Sequence, residues 1–436
     1  MQPYGSSRGQ RMIQRIAILS VHTSPLATPG GKKVGGMNTY IREIAQTFAT
    51  MGIHVDIFTR RVVADAPAID TALGNGVNVI QIAAGGLGDV APDDLFPHLQ
   101  AFTAGVIAYS IRNNVQYDLI FSHYWLSGWV AQKLKEFWGT PFVHMFHTLG
   151  RMKNRIPSMG AGTPHTRIHV ETQIVQWANV VLANTPAERT QLIWLYHADR
   201  RKVFVCPPGV NLTRFHPIEQ HVARHALNLP VDERLMVFVG RIEPLKAVDS
   251  ILYALAALGY DPLSVSTRPK LLIIGGNPQD RFDGDMVNLR QLCTQLGLNE
   301  QVEFIPAQAH DRLALYYAAA DVVLVPSEYE SFGMVALEAM ASGTPVIASA
   351  VGGLAYLVKD GYTGLLVPVR DSVTLASAIQ HILVDDVLRG NMAKASVLEA
   401  QKYSWQKIAE SLLVAFEAAK SGSTSSELAT IGIGGI

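Results

Sequence analysis

The chain has 436 residues, 48% of them hydrophobic, with 36 Lys and Arg balanced by 36 Asp and Glu. That length exceeds one small domain and suits two, each able to bury its own core, and the zero formal net charge offers no global basic field for nucleic acid. Only two cysteines, Cys206 and Cys293, are present, which excludes a disulfide framework and a Cys-rich zinc site and fits a reducing cytoplasm.

Residues 1–14 are polar and are expected to be flexible, and the apolar run at residues 16–21 is too short for a signal h-region. No stretch approaches the ~20 apolar residues that span a bilayer, so a cytoplasmic protein without a transmembrane segment is expected. Strands are expected at residues 15–20 and 55–59, around a helix at residues 38–50 with Ile41, Ile44, Ala45 and Phe48 on one face. This is a βαβ unit, hence a parallel sheet covered by helices. Further strands are read at residues 77–82, 119–122, 142–146 and 180–183, with a helix at residues 164–177.

After Pro207-Pro-Gly-Val210 the pattern restarts. Strands at residues 235–240, 270–275, 302–305, 322–326 and 345–348 alternate with helices at residues 248–258, 311–319 and from 331. The reading is therefore α/β, with a first doubly wound domain over residues 15–210 and a second over residues 211–400. A last helix, residues 401–420, follows a gap in the alternation and is free to pack back on the first domain, and residues 421–436 form a small, polar, disordered tail. Two such domains facing each other put a ligand at the carboxyl ends of their strands.

The motifs fall at those ends. Glu330-Ser-Phe-Gly-Met-Val-Ala-Leu-Glu338 sets two carboxylates around a helix start, where unpaired N–H groups favour an anion. Gly240-Arg-Ile-Glu-Pro-Leu-Lys246 delivers Arg241 and Lys246 just past a strand, a pair suited to a leaving group that gains negative charge; as isolated residues they read more readily as ordinary surface cations. Gly35 and Gly36 precede Asn38 at the first helix without the Gly-x-Gly-x-x-Gly spacing of a dinucleotide site. His147 follows its strand and could bond a sugar hydroxyl or serve the core, and His22, His123 and His147 lack paired metal-ligand spacing. Tyr124, Arg151, Lys153 and Arg167 could hold a phosphorylated acceptor, although Arg167 could equally pair with Glu171 on its own helix.

These motifs, with Asn211 and Gly275-Gly276 in the same order, resemble glycosyltransferase family 4, retaining enzymes of the GT-B fold, over most of the chain. The resemblance implies that Glu330 holds donor-sugar hydroxyls and Glu338 the ribose, and that Arg241 and Lys246 hold the diphosphate with the amides of Gly333 and Met334. It further implies that the main chain near Gln308 reads the base, usually uracil, and that His147 lies beside the donor sugar. Gly35, Gly36, Asn38, Ser331 and Phe332 complete the donor set. A UDP-sugar is then the donor, and no divalent metal or other cofactor is required.

The branch acting on inositol phosphate or fructose phosphate is most similar, and by position it implies Tyr124, Thr148 and Arg167 as acceptor contacts, to which the nearby Lys153 is added as a candidate. The chain departs from that branch at Pro92, where a lysine is usual. A glucosyl or N-acetylglucosaminyl unit transferred to a small polyol or sugar phosphate is the expectation. A non-catalytic sugar-nucleotide-binding regulatory protein and a family 4 transferase acting on a lipid-linked or polysaccharide acceptor stand as alternatives.

Overall fold

A computed structural model describes residues 13–27, 35–156, 158, 162–258, 269–280 and 283–423. The expectations for residues 1–12, for loop residues 30–34 and for the tail from residue 424 lie outside the described residues. Two parallel sheets carry the fold. The first contains β1 (Arg15–Ser20), β2 (His54–Arg60), β3 (Ile69–Asp70), β4 (Val77–Ile82), β5 (Leu119–His123), β6 (Phe142–Met145), β7 (Val180–Ala183) and β8 (Val203–Val205), in the order β3-β4-β2-β1-β5-β6-β7-β8. Only the short edge strand β3 runs antiparallel to its neighbour.

The second sheet contains β9 (Leu235–Val239), β10 (Lys270–Ile274), β11 (Val302–Ile305), β12 (Val322–Val325), β13 (Val346–Ser349) and β14 (Gly364–Val367), in the order β11-β10-β9-β12-β13-β14. Strands such as Val322-Val-Leu-Val325 are buried on both faces, as expected where helices cover both sides of a parallel sheet. In each sheet the order reverses at the first strand of its half, β1 or β9, which opens a crevice at the carboxyl ends of the strands.

The helices that position the site are α1 (Gly36–Thr50), α2 (Tyr124–Trp138), α3 (Gly150–Lys153), α4 (His165–Trp177), α5 (His310–Ala319), α6 (Met334–Ala341), α7 (Gly352–Leu357) and α8 (Trp405–Ser421). Two sequence expectations are corrected. The helix read from residue 331 begins at Met334, with Gly333 as its cap at φ 106°, a conformation that would strain a side chain. The gap in the α/β alternation is filled by β14 and by helices Ser372–Val384 and Asp386–Ala400.

The last helix, α8, packs Ile408, Leu412 and Phe416 against α1 and the first sheet, in one cluster with Ile16, Val55 and Phe121. The chain thus crosses between the halves twice, and the crossings lie together: the Val210 N–H donates to the Tyr403 carbonyl at 2.7 Å, beside a bridge from Val210 to Ser404.

Candidate active site

A cleft of about 680 Å³ lies between the two sheets, at the carboxyl ends of their strands. Its floor is made where two helix starts meet. A Cβ on Gly36, the first residue of α1, would lie 3.2 Å from Met334 Sδ, the first residue of α6. No side chain caps the start of α6 and no acid lies in its first turn, so its N–H groups and positive potential face the cleft.

The two cations expected to serve a donor, Arg241 and Lys246, both line this cleft. Lys246, at the end of the short turn after β9, places Nζ 2.6 Å from Glu330 Oε2, with both side chains about one-fifth exposed (20% and 21%). Arg241 is 48% exposed and pairs with Glu243 at 3.0 Å. A Cβ on Gly35, across the cleft, would come within 4.0 Å of Arg241 Nε. Ser331, Gly333 and Gln308 line the same cleft, Gln308 with its amide turned to the Pro306 carbonyl at 2.8 Å.

Glu338, one turn into α6, also lines the cleft, and its Oε2 accepts the Tyr317 hydroxyl at 3.0 Å. Burial, assisted by the nearby Glu43 carboxylate, raises its acid to about 7 against the opposing pull of the Tyr317 hydroxyl and the Arg214 charge. Glu338 is therefore poised between its neutral and ionised forms near neutral pH.

The facing wall belongs to the first sheet. Tyr124 and His147 follow β5 and β6 with φ of 72° and 61°, left-handed conformations that cost a non-glycine residue of order 1–3 kcal/mol and cluster at functional sites. His147 Nε2 lies 2.9 Å from His123 Nδ1. Burial pushes His147 down to about 3 and drives His123 well below its ordinary value, so the pair is neutral and one ring donates to the other. Thr148, Lys153 and Pro92 also line the cleft. Burial and the Arg167 charge lower the Lys153 ammonium.

Three of the expected contact residues direct their side chains to partners within the protein. Arg167 is buried behind the wall, with Nε donating to Glu171 at 2.7 Å, Nη1 to the Tyr124 hydroxyl at 2.9 Å and Nη2 to the Thr148 carbonyl at 2.9 Å. Its guanidinium is engaged within the protein. Asn38 borders the cleft but is buried, its amide donating to Thr23 Oγ1 at 2.5 Å and the Ser24 carbonyl at 2.7 Å while its Oδ1 accepts the Gly35 N–H at 3.2 Å. Phe332 turns its ring into the core, 5.8 Å from that of Tyr403.

Other residues that shape the site carried no reading in the sequence. Gly352 and Gly353 start α7 directly against the Glu330 segment: a Cβ on Gly353 would lie 2.1 Å from Phe332 Cα, and its N–H donates to the Glu330 carbonyl at 2.8 Å. A glycine pair just past a strand was their available signal. Tyr317 had none, because its partner Glu338 is distant in sequence. Among the described residues, no group of three or more His, Cys, Asp or Glu is placed to hold a metal.

The sequence model described as "Glycosyltransferase Family 4" matches residues 34–214, and that described as "Glycosyl transferases group 1" matches residues 219–397. A D-inositol 3-phosphate glycosyltransferase from Actinosynnema mirum is 43% identical over 94% of this chain and 98% of its own. Its counterpart from Salinispora arenicola is 42% identical over 98% of each chain. Among solved structures, a sucrose-phosphate synthase from Thermosynechococcus elongatus superposes with a TM-score of 0.85 at 36% identity, over 94% of this chain and all of its own. With two Rossmann-like domains facing across the cleft and relatives aligned along nearly its whole length, this chain belongs to the family 4 glycosyltransferases of the GT-B fold.

Proposed function

We propose that the enzyme transfers a glucosyl or N-acetylglucosaminyl unit from a UDP-sugar, with retention of configuration, to a hydroxyl of a small polyol or sugar phosphate. The observation that carries this reading is the Lys246–Glu330 pair, set at the start of α6 and facing Gly35 and Gly36 across the cleft. A diphosphate here would meet Lys246, Arg241 and the N–H groups of α6, while Glu330 accepts from hexose hydroxyls and Glu338 from ribose hydroxyls. The main chain at Gln308 lies where the base would sit. The names of the curated relatives and of the 36% identical solved structure support a phosphorylated acceptor, and Lys153 is a first-domain cation that lines the cleft.

In this mechanism the anomeric carbon–oxygen bond to the diphosphate breaks as the acceptor oxygen bonds to the same face. The acceptor proton passes to a diphosphate oxygen, so no protein nucleophile is needed. Arg241, Lys246 and the α6 terminus stabilise the charge that develops on the leaving group. Neutral His147, beside the hexose, offers a hydrogen bond rather than a charge. No other cofactor enters this scheme. Two buried free cysteines are consistent with a cytoplasmic protein.

The test is an acceptor screen by mass spectrometry. UDP-glucose and UDP-N-acetylglucosamine are incubated with inositol phosphates, hexose phosphates and free sugars. Acceptor-dependent UDP release with a new glycosylated polyol phosphate or sugar phosphate supports the reading. Tight UDP-sugar binding without turnover on any acceptor would favour a regulatory protein instead, and transfer only to lipid-linked or polysaccharide acceptors would overturn the small-acceptor assignment.

A further inference from the structure

We propose that Glu171 is a positioning residue for acceptor binding, a buried carboxylate that fixes Tyr124, Thr148 and the turn carrying Lys153 on the cleft wall. The inference rests on the acceptor-side reading above. Glu171 is 0% exposed, on α4, and is not among the residues lining the cleft. Its Oε1 accepts Arg167 Nε–H at 2.7 Å and its Oε2 the Tyr196 hydroxyl at 2.5 Å. The Gly150 N–H approaches both oxygens, at 3.2 and 3.0 Å.

Each partner stands one step from the cleft. Arg167 passes the constraint to the Tyr124 hydroxyl at 2.9 Å and to the Thr148 carbonyl and hydroxyl at 2.9 and 3.1 Å. Gly150 opens α3, whose last residue is Lys153. The Tyr196 hydroxyl in turn accepts the Arg151 N–H at 2.8 Å, which ties the middle of the same turn. One carboxylate therefore sets the residues after β5, the residues after β6 and the helical turn that follows them.

The charge is required as well as the shape. An ionised carboxylate is acceptor-only and can serve three donors at once, whereas an amide in its place would present an N–H to one of them. Arg167 is itself buried and needs a counter-charge. Without one, its guanidinium would be drawn toward the cleft, the nearest water and the nearest anion, and Tyr124 and Thr148 would lose their support. Burial and the adjacent Glu171 hold the Tyr196 phenol well above its ordinary value, so it stays a donor. Among the described residues the hydrogen-bond partners of Glu171 and Arg167 named above all belong to the first half, while Tyr329 of the second half bonds the Leu149 backbone, so the predicted effect falls mainly on the acceptor.

The experiment compares full-length wild type with Glu171→Gln. D-inositol 3-phosphate and fructose 6-phosphate serve as acceptors, UDP-glucose and UDP-N-acetylglucosamine as donors, and melting is followed as a check on folding. The expected result is an acceptor KM raised about tenfold or more, consistent with the loss of a charge-assisted contact, while donor KM and UDP release without acceptor stay within about twofold. A folded variant with an unchanged acceptor KM overturns the proposal, as does a parallel fall in acceptor-free UDP release, which a general structural defect would cause. If Glu171→Gln does not fold, Tyr196→Phe removes one donor and the Arg151 tether and should raise acceptor KM about threefold; no rise overturns the proposal. If wild type uses neither phosphate, the acceptor reading itself fails. The same variants are then compared on whichever acceptor the screen finds, with the same outcomes deciding.

Discussion

Glu338 joins a ribose contact to a titration. A carboxylate accepts from two hydroxyls only when ionised, and burial holds this one at about 7. Affinity for UDP should therefore strengthen by up to about tenfold between pH 6 and pH 8, measured by calorimetry, and Glu338→Gln should flatten that dependence. The effect on stability has the opposite sense. With its folded value above its unfolded one, the group's contribution is present at low pH and is lost as pH rises through about 7. Lys246 calls for a different measurement. Lys246→Ala should lower kcat by about 10²–10³, the cost of losing one preorganised charge at a leaving group. Melting should change little, since a partly exposed ion pair contributes only about 0–1 kcal/mol. An unchanged kcat would remove Lys246 from the mechanism. Arg241, Lys246, Glu330 and Glu338 could be proposed from the sequence because a charge just past a strand, or at a helix start, has its position set by local pattern. Arg167 and Asn38 could not be placed that way. Whether their polar atoms face a ligand or a neighbour depends on Glu171, Tyr124, Thr23 and Ser24, which the fold brings to them.

At the scale of elements, the Glu330 loop is held by a helix of only six residues, α7. Backbone lies against backbone there, so a methyl group at Gly353 has nowhere to go. Gly353→Ala should cost about 1–3 kcal/mol of stability, the usual range for overpacking, and should raise donor KM by displacing Phe332 and the Glu330 carbonyl. Normal melting with a normal donor KM would show that the contact relaxes freely. Such a short helix has too few turns for apolar periodicity to register, which is why α7 went unread. Helix α2 was missed for another reason. Its first residue, Tyr124, has a positive φ directly after a strand, so the chain passes from strand to helix with no loop between them to mark the start. Long strands of Val, Leu and Ile were legible because a sheet covered on both faces writes itself as an unbroken apolar run.

For the whole molecule, the repeated βαβ theme was visible in sequence, and the position of α8 was left open. A helix's apolar stripe does not say which sheet it will cover. Phe416 shows the answer, with its ring centroid 5.7 Å from that of Phe48 and 5.2 Å from that of Phe121. Phe416→Ala should cost about 3–5 kcal/mol, read as a lowered melting temperature, with little change in UDP affinity because Arg241, Lys246, Glu330 and Glu338 belong to the second half. The doubled crossing at Val210 and Ser404 has a consequence for biosynthesis. During translation the segment carrying the second sheet is complete before α8 has been made, so the first domain waits for its covering helix with α1 and its strands still exposed. Domains made first on a ribosome generally fold first. Here the cover of the first domain is made last, and a gene fragment encoding the second domain can be one continuous piece while one encoding the first cannot.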